Sequence, residues 1–180
     1  MDDVTRSLSE MLPRGGRLAI GDGAGTPHEA WSSVIELLEE RADVSLVLGW
    51  WFTAPALDGP LRGERAKTLF SGFGLRRLID AGKVGFVPCR FSQVSALLAG
   101  ALRADVLVTS LRPTRTGFAF STEVGWERAV IDAGGAVAAV VRTTAPAIPS
   151  GPELAAASVR VLAESAQSPE LFVTAPPSEL

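Results

Sequence analysis

The stretch Gly21-Asp22-Gly23-Ala24-Gly25-Thr26-Pro27 decides how the fold is read. Before it, Arg17-Leu18-Ala19-Ile20 is a short apolar run that predicts a strand. After it, Trp31, Val34, Ile35 and Leu38 recur at i, i+3, i+4 and i+7, which predicts a helix from Pro27 to about Arg41. Thr26 as N-cap, Pro27 at the first helical position and Glu29 three residues after the cap spell a capping box. The unit is therefore strand, glycine-rich turn, capped helix. Two readings of the turn stand at this point. Its glycines let the backbone approach a ligand, while the helix N-terminus offers N–H groups to an anion or oxyanion. Alternatively it is a tight βα turn that needs glycine only for its dihedrals.

Working outward, strand and helix patterns alternate. Thr5 to Leu12 predicts a short N-terminal helical arm (within residues 1–14), ended by Pro13 and Gly15-Gly16. Val44 to Trp50 is a near-continuous apolar run, the pattern of a strand buried on both faces. Trp51 to Gly63 reads as a loop whose aromatic start, with Trp50 and Phe52, either packs under a neighbour or lines a pocket. Strands are predicted at Ala66–Ser71, Val84–Cys89, Ala104–Leu111, Phe118–Ser121 and Ala136–Arg142. Helices are predicted at Gly74–Ala81 (stopped by Gly82), Phe91–Leu102 (capped by Ser92), Gly125–Ala133 and Glu153–Ala166. Leu171-Phe172-Val173 reads as an edge strand, and residues 175–180 as a free tail. The alternation predicts a single α/β domain over 1–180, with a mainly parallel sheet flanked by helices and a local antiparallel pair between 104–111 and 118–121.

Composition narrows the function classes. The chain has 180 residues, 47% apolar and 21% charged, with net charge −3 and a pI near 5.2. That balance, with no Lys/Arg cluster, argues against nucleic acid as partner. The mean hydropathy of +0.24 leans apolar and predicts surface covered by another subunit. Cys89 is the only cysteine and His28 the only histidine, so an internal disulfide, a cysteine-based zinc site and a His-rich metal site are all excluded. No G-x-S-x-G elbow accompanies His28, which argues against a serine triad. The acidic start lacks the features of a signal peptide, and the apolar runs are too short to span a membrane. The expectation is a cytoplasmic protein with no membrane partner and no metal. The P-loop is excluded because no Gly-Lys-Ser/Thr follows the turn. The dinucleotide fingerprint fails because Thr26 stands where its third glycine belongs and the second strand ends Leu48-Gly49-Trp50 without an acid.

Several motifs in one order resemble the acetyl-CoA hydrolase/transferase family, which includes 4-hydroxybutyrate CoA-transferase. They are Gly21–Pro27 with its helix, Gly82-Lys-Val-Gly-Phe-Val-Pro88, Phe91-Ser92 with a helix to Gly100, Asp105–Pro113, Gly117–Ser121, and Ala136–Arg142 before Pro146. The resemblance covers about residues 15–150 and is to the N-terminal half of the family only. It implies a CoA-transferase-type α/β domain of the kind shared with NagB- and RpiA-like proteins. It further implies a heteromeric CoA-transferase or acyl-CoA hydrolase, whose second-half subunit brings the catalytic glutamate. That glutamate forms an acyl anhydride and then a glutamyl-CoA thioester. Acyl-CoA and CoA would be substrates, with no permanently bound cofactor. Two other readings stay open: a non-catalytic binding or scaffold protein, and a homo-oligomeric thioesterase.

The candidate site follows from these readings. Gly21, Asp22, Gly23, Ala24, Gly25 and Thr26 would form the substrate-binding wall. Asp22 contacts a substrate hydroxyl or satisfies turn N–H groups. Arg112 pairs with a substrate carboxylate or CoA phosphate, or is solvated; Arg90 is a weaker case of the same kind. Ser121 joins the substrate-binding set. Glu123, just past a strand end, is the internal candidate for a catalytic nucleophile, or simply a carboxylate favoured by the following helix's dipole. Cys89 reads as a small buried residue.

Overall fold

A computed structural model of the chain describes residues 1–53, 61–121, 125–148 and 153–168. The chain opens with α1 (Asp3–Met11), capped by the Asp2 carboxylate, which accepts the Thr5 N–H at 2.6 Å. It is no free arm. Leu8 is fully buried, and Thr5 and Asp2 bond to Glu36 and Ser33 of the next helix. Strand β1 (Arg17–Ile20) has the bounds its apolar run predicts. Next come α2 (Trp31–Glu40), β2 (Ser45–Leu48), β3 (Ala66–Thr68), α3 (Arg76–Asp80), β4 (Gly85–Phe86) and α4 (Val94–Ala99). Gly82, at φ +68°, ends the α3 segment as predicted. The second half runs β5 (Val106–Pro113), β6 (Gly117–Ala119), α5 (Glu127–Asp132), β7 (Ala136–Arg142), β8 (Glu153–Ala155) and β9 (Val159–Ser165).

The parallel strands lie in the order β4-β3-β2-β1-β5-β7-β9. From the far end of β5, β6 and β8 extend an antiparallel ribbon, with Arg112 opposite Ala119. The sheet is covered on both faces. Alternate residues of β1 divide between them: Leu18 and Ile20 join the core under α1, α2 and α3, and Ala19 joins the core under α4 and α5. This is why Leu46–Leu48 of β2 and Val106–Leu111 of β5 are buried without alternation.

Three expectations are corrected. The segment 153–166 forms no α-helix, only a 3-10 turn at Ala156–Ser158. Its first residues, Glu153–Ala155, pair with β6, and Val159–Ser165 pairs parallel with β7. Local alanine propensity is overridden because Val159 and Leu162 fill opposite faces of the sheet, one beside Phe120 and the other in the core under α2. The capping box at Thr26–Glu29 also does not form. Thr26 closes one 3-10 turn (Gly23–Gly25), a second 3-10 turn follows (His28–Ala30), and α2 starts only at Trp31. Finally, Arg90 rather than Ser92 caps the segment before α4, its N–H bonded by the Gln93 side chain at 3.0 Å. Leu171–Val173, residues 175–180 and Glu123 lie outside the described residues.

Candidate functional site

Parallel strands end on one edge of the sheet, and ligands of open α/β sheets bind beyond that edge where the strand order reverses. Here the chain runs outward from β1 to β4, then returns to place β5, β7 and β9 on the other side of β1. The reversal lies between β1 and β5. The residues just beyond β1 are Gly21 to Thr26, so the turn singled out in the sequence occupies the switch point.

The turn itself is closed. The Gly21 N–H donates to the Val108 carbonyl, Gly23 to Trp50, Gly25 to Asp22 and Thr26 to Gly23. The Asp22 N–H donates to Glu127 Oε1 at 3.2 Å. Gly23 sits at φ +58°, a conformation that favours glycine. These five donors are spent inside the chain and are not offered to a phosphate. Gly23 serves the backbone path, and Gly21 leaves room for the Thr109 side chain.

Two side chains hold the turn from below. Trp51 is fully buried, donates Nε1–H to the Gly21 carbonyl at 3.2 Å and meets the Trp31 ring edge-on at 4.9 Å. Arg142, at the end of β7, donates to the carbonyls of Ala24 (3.2 Å) and Thr26 (2.9 Å) and pairs with Glu29 at 3.2 Å. Burial works against the Glu29 carboxylate, but its own backbone N–H, Ser165 and the Arg142 charge outweigh it and hold the carboxyl below its ordinary range. Glu29, read in the sequence as a cap, is thus one half of an ion pair whose other half lies far downstream.

Beside the turn is an open pocket of about 300 Å³ lined by Asp22, Trp50, Phe70, Phe91, Gly125 and Trp126. They come from five segments at the carboxyl edge, Gly125 and Trp126 being neighbours in the chain. Gly49 lets this happen, because a side chain there would run into Asp22 and the Trp126 ring. Phe91 is 78% exposed, and its ring lies 6.5 Å from that of Phe70. Behind Gly125 stands Glu127, which is 1% exposed. Its Oε1 takes the Asp22 N–H, and its Oε2 has no hydrogen-bond partner among the described residues. An unpaired buried oxygen of this kind costs about 1–3 kcal/mol or more, so it calls for a partner.

The structure brings Asp22 and Trp50 together at this pocket, separates Trp51 from them as a core strut, and leaves Arg112 and Ser121 outside its lining. The Ser121 hydroxyl donates to the Pro146 carbonyl at 2.6 Å. Arg112 donates to the Pro113 carbonyl, and its Nε is buried with no partner among the described residues. Cys89 is a free, half-buried thiol on a different depression, with Val87 and Leu97. Sequence reasoning missed Glu127, Arg142 and the pocket's Phe70, Phe91 and Trp126. Among the described residues no group of three or more His, Cys, Asp or Glu could hold a metal, and no helix is long and apolar enough to cross a membrane.

No protein-family model matches the sequence, and no curated protein matches it significantly. Solved structures do match. The chain is similar to RipA from Yersinia pestis over 98% of its length, with a TM-score of 0.68 and 17% identity, and covers 47% of that chain. It is similar to 4-hydroxybutyrate CoA-transferase from Porphyromonas gingivalis over 91% of its length, with a TM-score of 0.54 and 14% identity, covering 39% of that chain. It is also similar to a variant of the decarboxylase AibA/AibB over 89% of its length, with a TM-score of 0.50 and 16% identity, covering 80% of that chain. At these identities the likeness is one of fold. The chain has the α/β fold of CoA-transferase-like proteins, and it spans less than half the length of the RipA chain it matches.

Proposed function

We propose that the chain is a subunit of a heteromeric CoA-transferase or acyl-CoA hydrolase. The carboxyl edge of its sheet forms one wall of an acyl-CoA site, and a partner subunit carries the catalytic glutamate. The observation that supports this most is the likeness of fold: 98% of the chain aligns with RipA, and 91% with a 4-hydroxybutyrate CoA-transferase. The decarboxylase match, which covers 80% of its chain, adds a neighbour of comparable size whose name joins two components.

In this reading the partner's carboxylate attacks the thioester carbonyl, forming an acyl anhydride and releasing CoA as thiolate. In a transferase the thiolate then attacks the glutamyl carbonyl, forming the glutamyl thioester and freeing the acid. In a hydrolase, water opens the anhydride. The residues of this chain shape the site. Trp50, Phe70, Phe91 and Trp126 would enclose the acyl end and keep water from it. The Gly21–Thr26 backbone, with the N–H groups of Gly21, Asp22, Gly23, Gly25 and Thr26 already bonded, chiefly supplies shape. Arg112, whose Nε lacks a partner among the described residues, is the side chain suited to an anion such as a CoA phosphate.

The test is a pull-down from the native host followed by thioester turnover. We expect a second-half CoA-transferase subunit to copurify, the mixed pair to turn over acyl-CoA, and neither part to do so alone. Turnover by the isolated chain, abolished by Glu123→Ala, would replace this reading with a self-sufficient thioesterase. CoA binding without turnover in every pairing would leave a binding protein.

A further inference from the structure

We infer that the pocket beside the glycine turn takes an aromatic acyl group, with its ring a methylene or so from the thioester carbonyl. The inference rests on the acyl-CoA reading and names the class of acyl group for it. Four residues lining the pocket are aromatic, Trp50, Phe70, Phe91 and Trp126, and they reach it from four separate segments of the chain. Aromatic rings attract one another edge-to-face, because the positive rim of one meets the negative face of the next, and this adds to the gain from burial. The rings at this edge already pack in related ways. Trp50 meets Phe52 edge-on at 4.9 Å, and Phe70 is tilted 55° to Phe91 at 6.5 Å. A planar ring held among them extends the same packing.

Phe91 supplies a second observation. Its side chain is 78% exposed, yet it is part of the pocket lining. A ligand ring laid against it covers apolar surface that the chain alone leaves in water. Size points the same way. The volume of about 300 Å³ is roughly twice the ~150 Å³ cavity that holds a benzene ring, which leaves room for a methylene and a carbonyl. Charge argues against an acyl chain that ends in a second carboxylate. No Lys or Arg is among the described residues lining the pocket, so that carboxylate would lose water without gaining a cation. A saturated ring fills the same space, but it has no π face or polarised rim and gains burial alone.

The test compares three amides whose carbonyl stands in for that of the thioester. 2-Phenylacetamide carries an aromatic ring, 2-cyclohexylacetamide a saturated ring of the same carbon count, and succinamate a carboxylate. Each is titrated against the full chain, with quenching of tryptophan fluorescence as readout. CoA is titrated in parallel against the chain and against the chain with its copurified partner. The cyclohexyl ring has the larger apolar surface, so burial alone ranks it level or first. We expect the reverse: phenylacetamide should bind about threefold to tenfold tighter than cyclohexylacetamide, and succinamate should show no saturation up to about 10 mM. Phe91→Leu keeps an apolar wall and removes a ring, so the aryl preference should shrink towards none. Because Phe91 is so exposed, its replacement should leave the circular dichroism spectrum unchanged. Phe70→Leu makes the same test from the neighbouring ring. The inference is overturned if phenylacetamide does not saturate, if cyclohexylacetamide or succinamate binds as tightly, or if the aryl preference survives both variants. An aryl preference without any CoA binding would sink the acyl-CoA reading and leave an aryl-binding pocket. CoA binding without an aryl preference would do the reverse.

Discussion

The glycine turn and the aromatic pocket are neighbours at the same edge of the sheet, yet they are built on opposite principles. The N–H groups of Gly21, Asp22, Gly23, Gly25 and Thr26 all find acceptors within the chain, and two carbonyls of the turn accept from Arg142. The pocket is left open, with a nearly naked phenylalanine at its rim and an unpaired buried carboxylate oxygen behind it. A loop whose polar groups are satisfied internally has little to offer a ligand, whereas a wall with an unmet hydrogen-bonding demand does. The difference teaches that the conspicuous motif is built as a frame, and that the unmet polar demand lies with a less conspicuous side chain beside it.

If the turn is frame, removing its supports must cost stability. Trp51→Ala is expected to have the largest effect. It removes a fully buried indole that packs on Trp31 and holds the Gly21 carbonyl, and should destabilise by about 3–5 kcal/mol, a fall in Tm of roughly 6–20 °C by calorimetry. A loss under 1 kcal/mol would mean that the turn holds its shape without this strut, and the division between frame and pocket would blur.

Arg142→Met comes next, at about 2–3 kcal/mol by urea unfolding. This is below the usual cost of breaking a buried pair because Glu29 is partly open to water. The double variant Arg142→Met with Glu29→Gln sharpens the point. It should recover part of the loss, since much of the cost is a stranded carboxylate rather than the missing bonds to Ala24 and Thr26. No recovery would place the cost in those carbonyl contacts.

The contrast also marks what could be read from the sequence. The strands Arg17–Ile20 and Ala136–Arg142 show in their apolar runs, because strands buried on both faces are hydrophobic whatever covers them. The turn shows because its glycines cluster, Gly23 for its positive φ and Gly21 for the close approach of Thr109. Glu127 and Arg142 do not show, because each acts through a partner more than a hundred residues away: Asp22 for one, Ala24, Thr26 and Glu29 for the other. The same distance explains the misread cap. Ser/Thr followed by Glu three residues later is a helix start only if nothing else claims the glutamate, and Arg142 claims it. The segment from Glu153 fails for a related reason. Its alanines favour helix locally, but β7 presents a parallel edge that Val159–Ser165 completes. The pocket has no local signature, since Trp50, Phe70, Phe91 and Trp126 are scattered single residues brought together by four different strand or helix ends.

The smallest effect expected is the pH response of the Glu29–Arg142 pair, and it tests the frame without changing its packing. The Glu29 carboxyl is held below its ordinary value of 4.5 in the folded chain, so folding favours the ionised form. The stability it contributes is fully present above the unfolded pKa and is lost as pH falls through the lower, folded one. Wild type should therefore exceed Glu29→Gln in Tm at pH 7, and the gap should close on acidification from about pH 5 downward, as the unfolded chain begins to take up the proton. Other carboxylates titrate in both proteins and cancel in the difference. A gap that stays constant to pH 3 would show that the Glu29 charge does not stabilise the turn. The role of Arg142 would then reduce to its two carbonyl bonds.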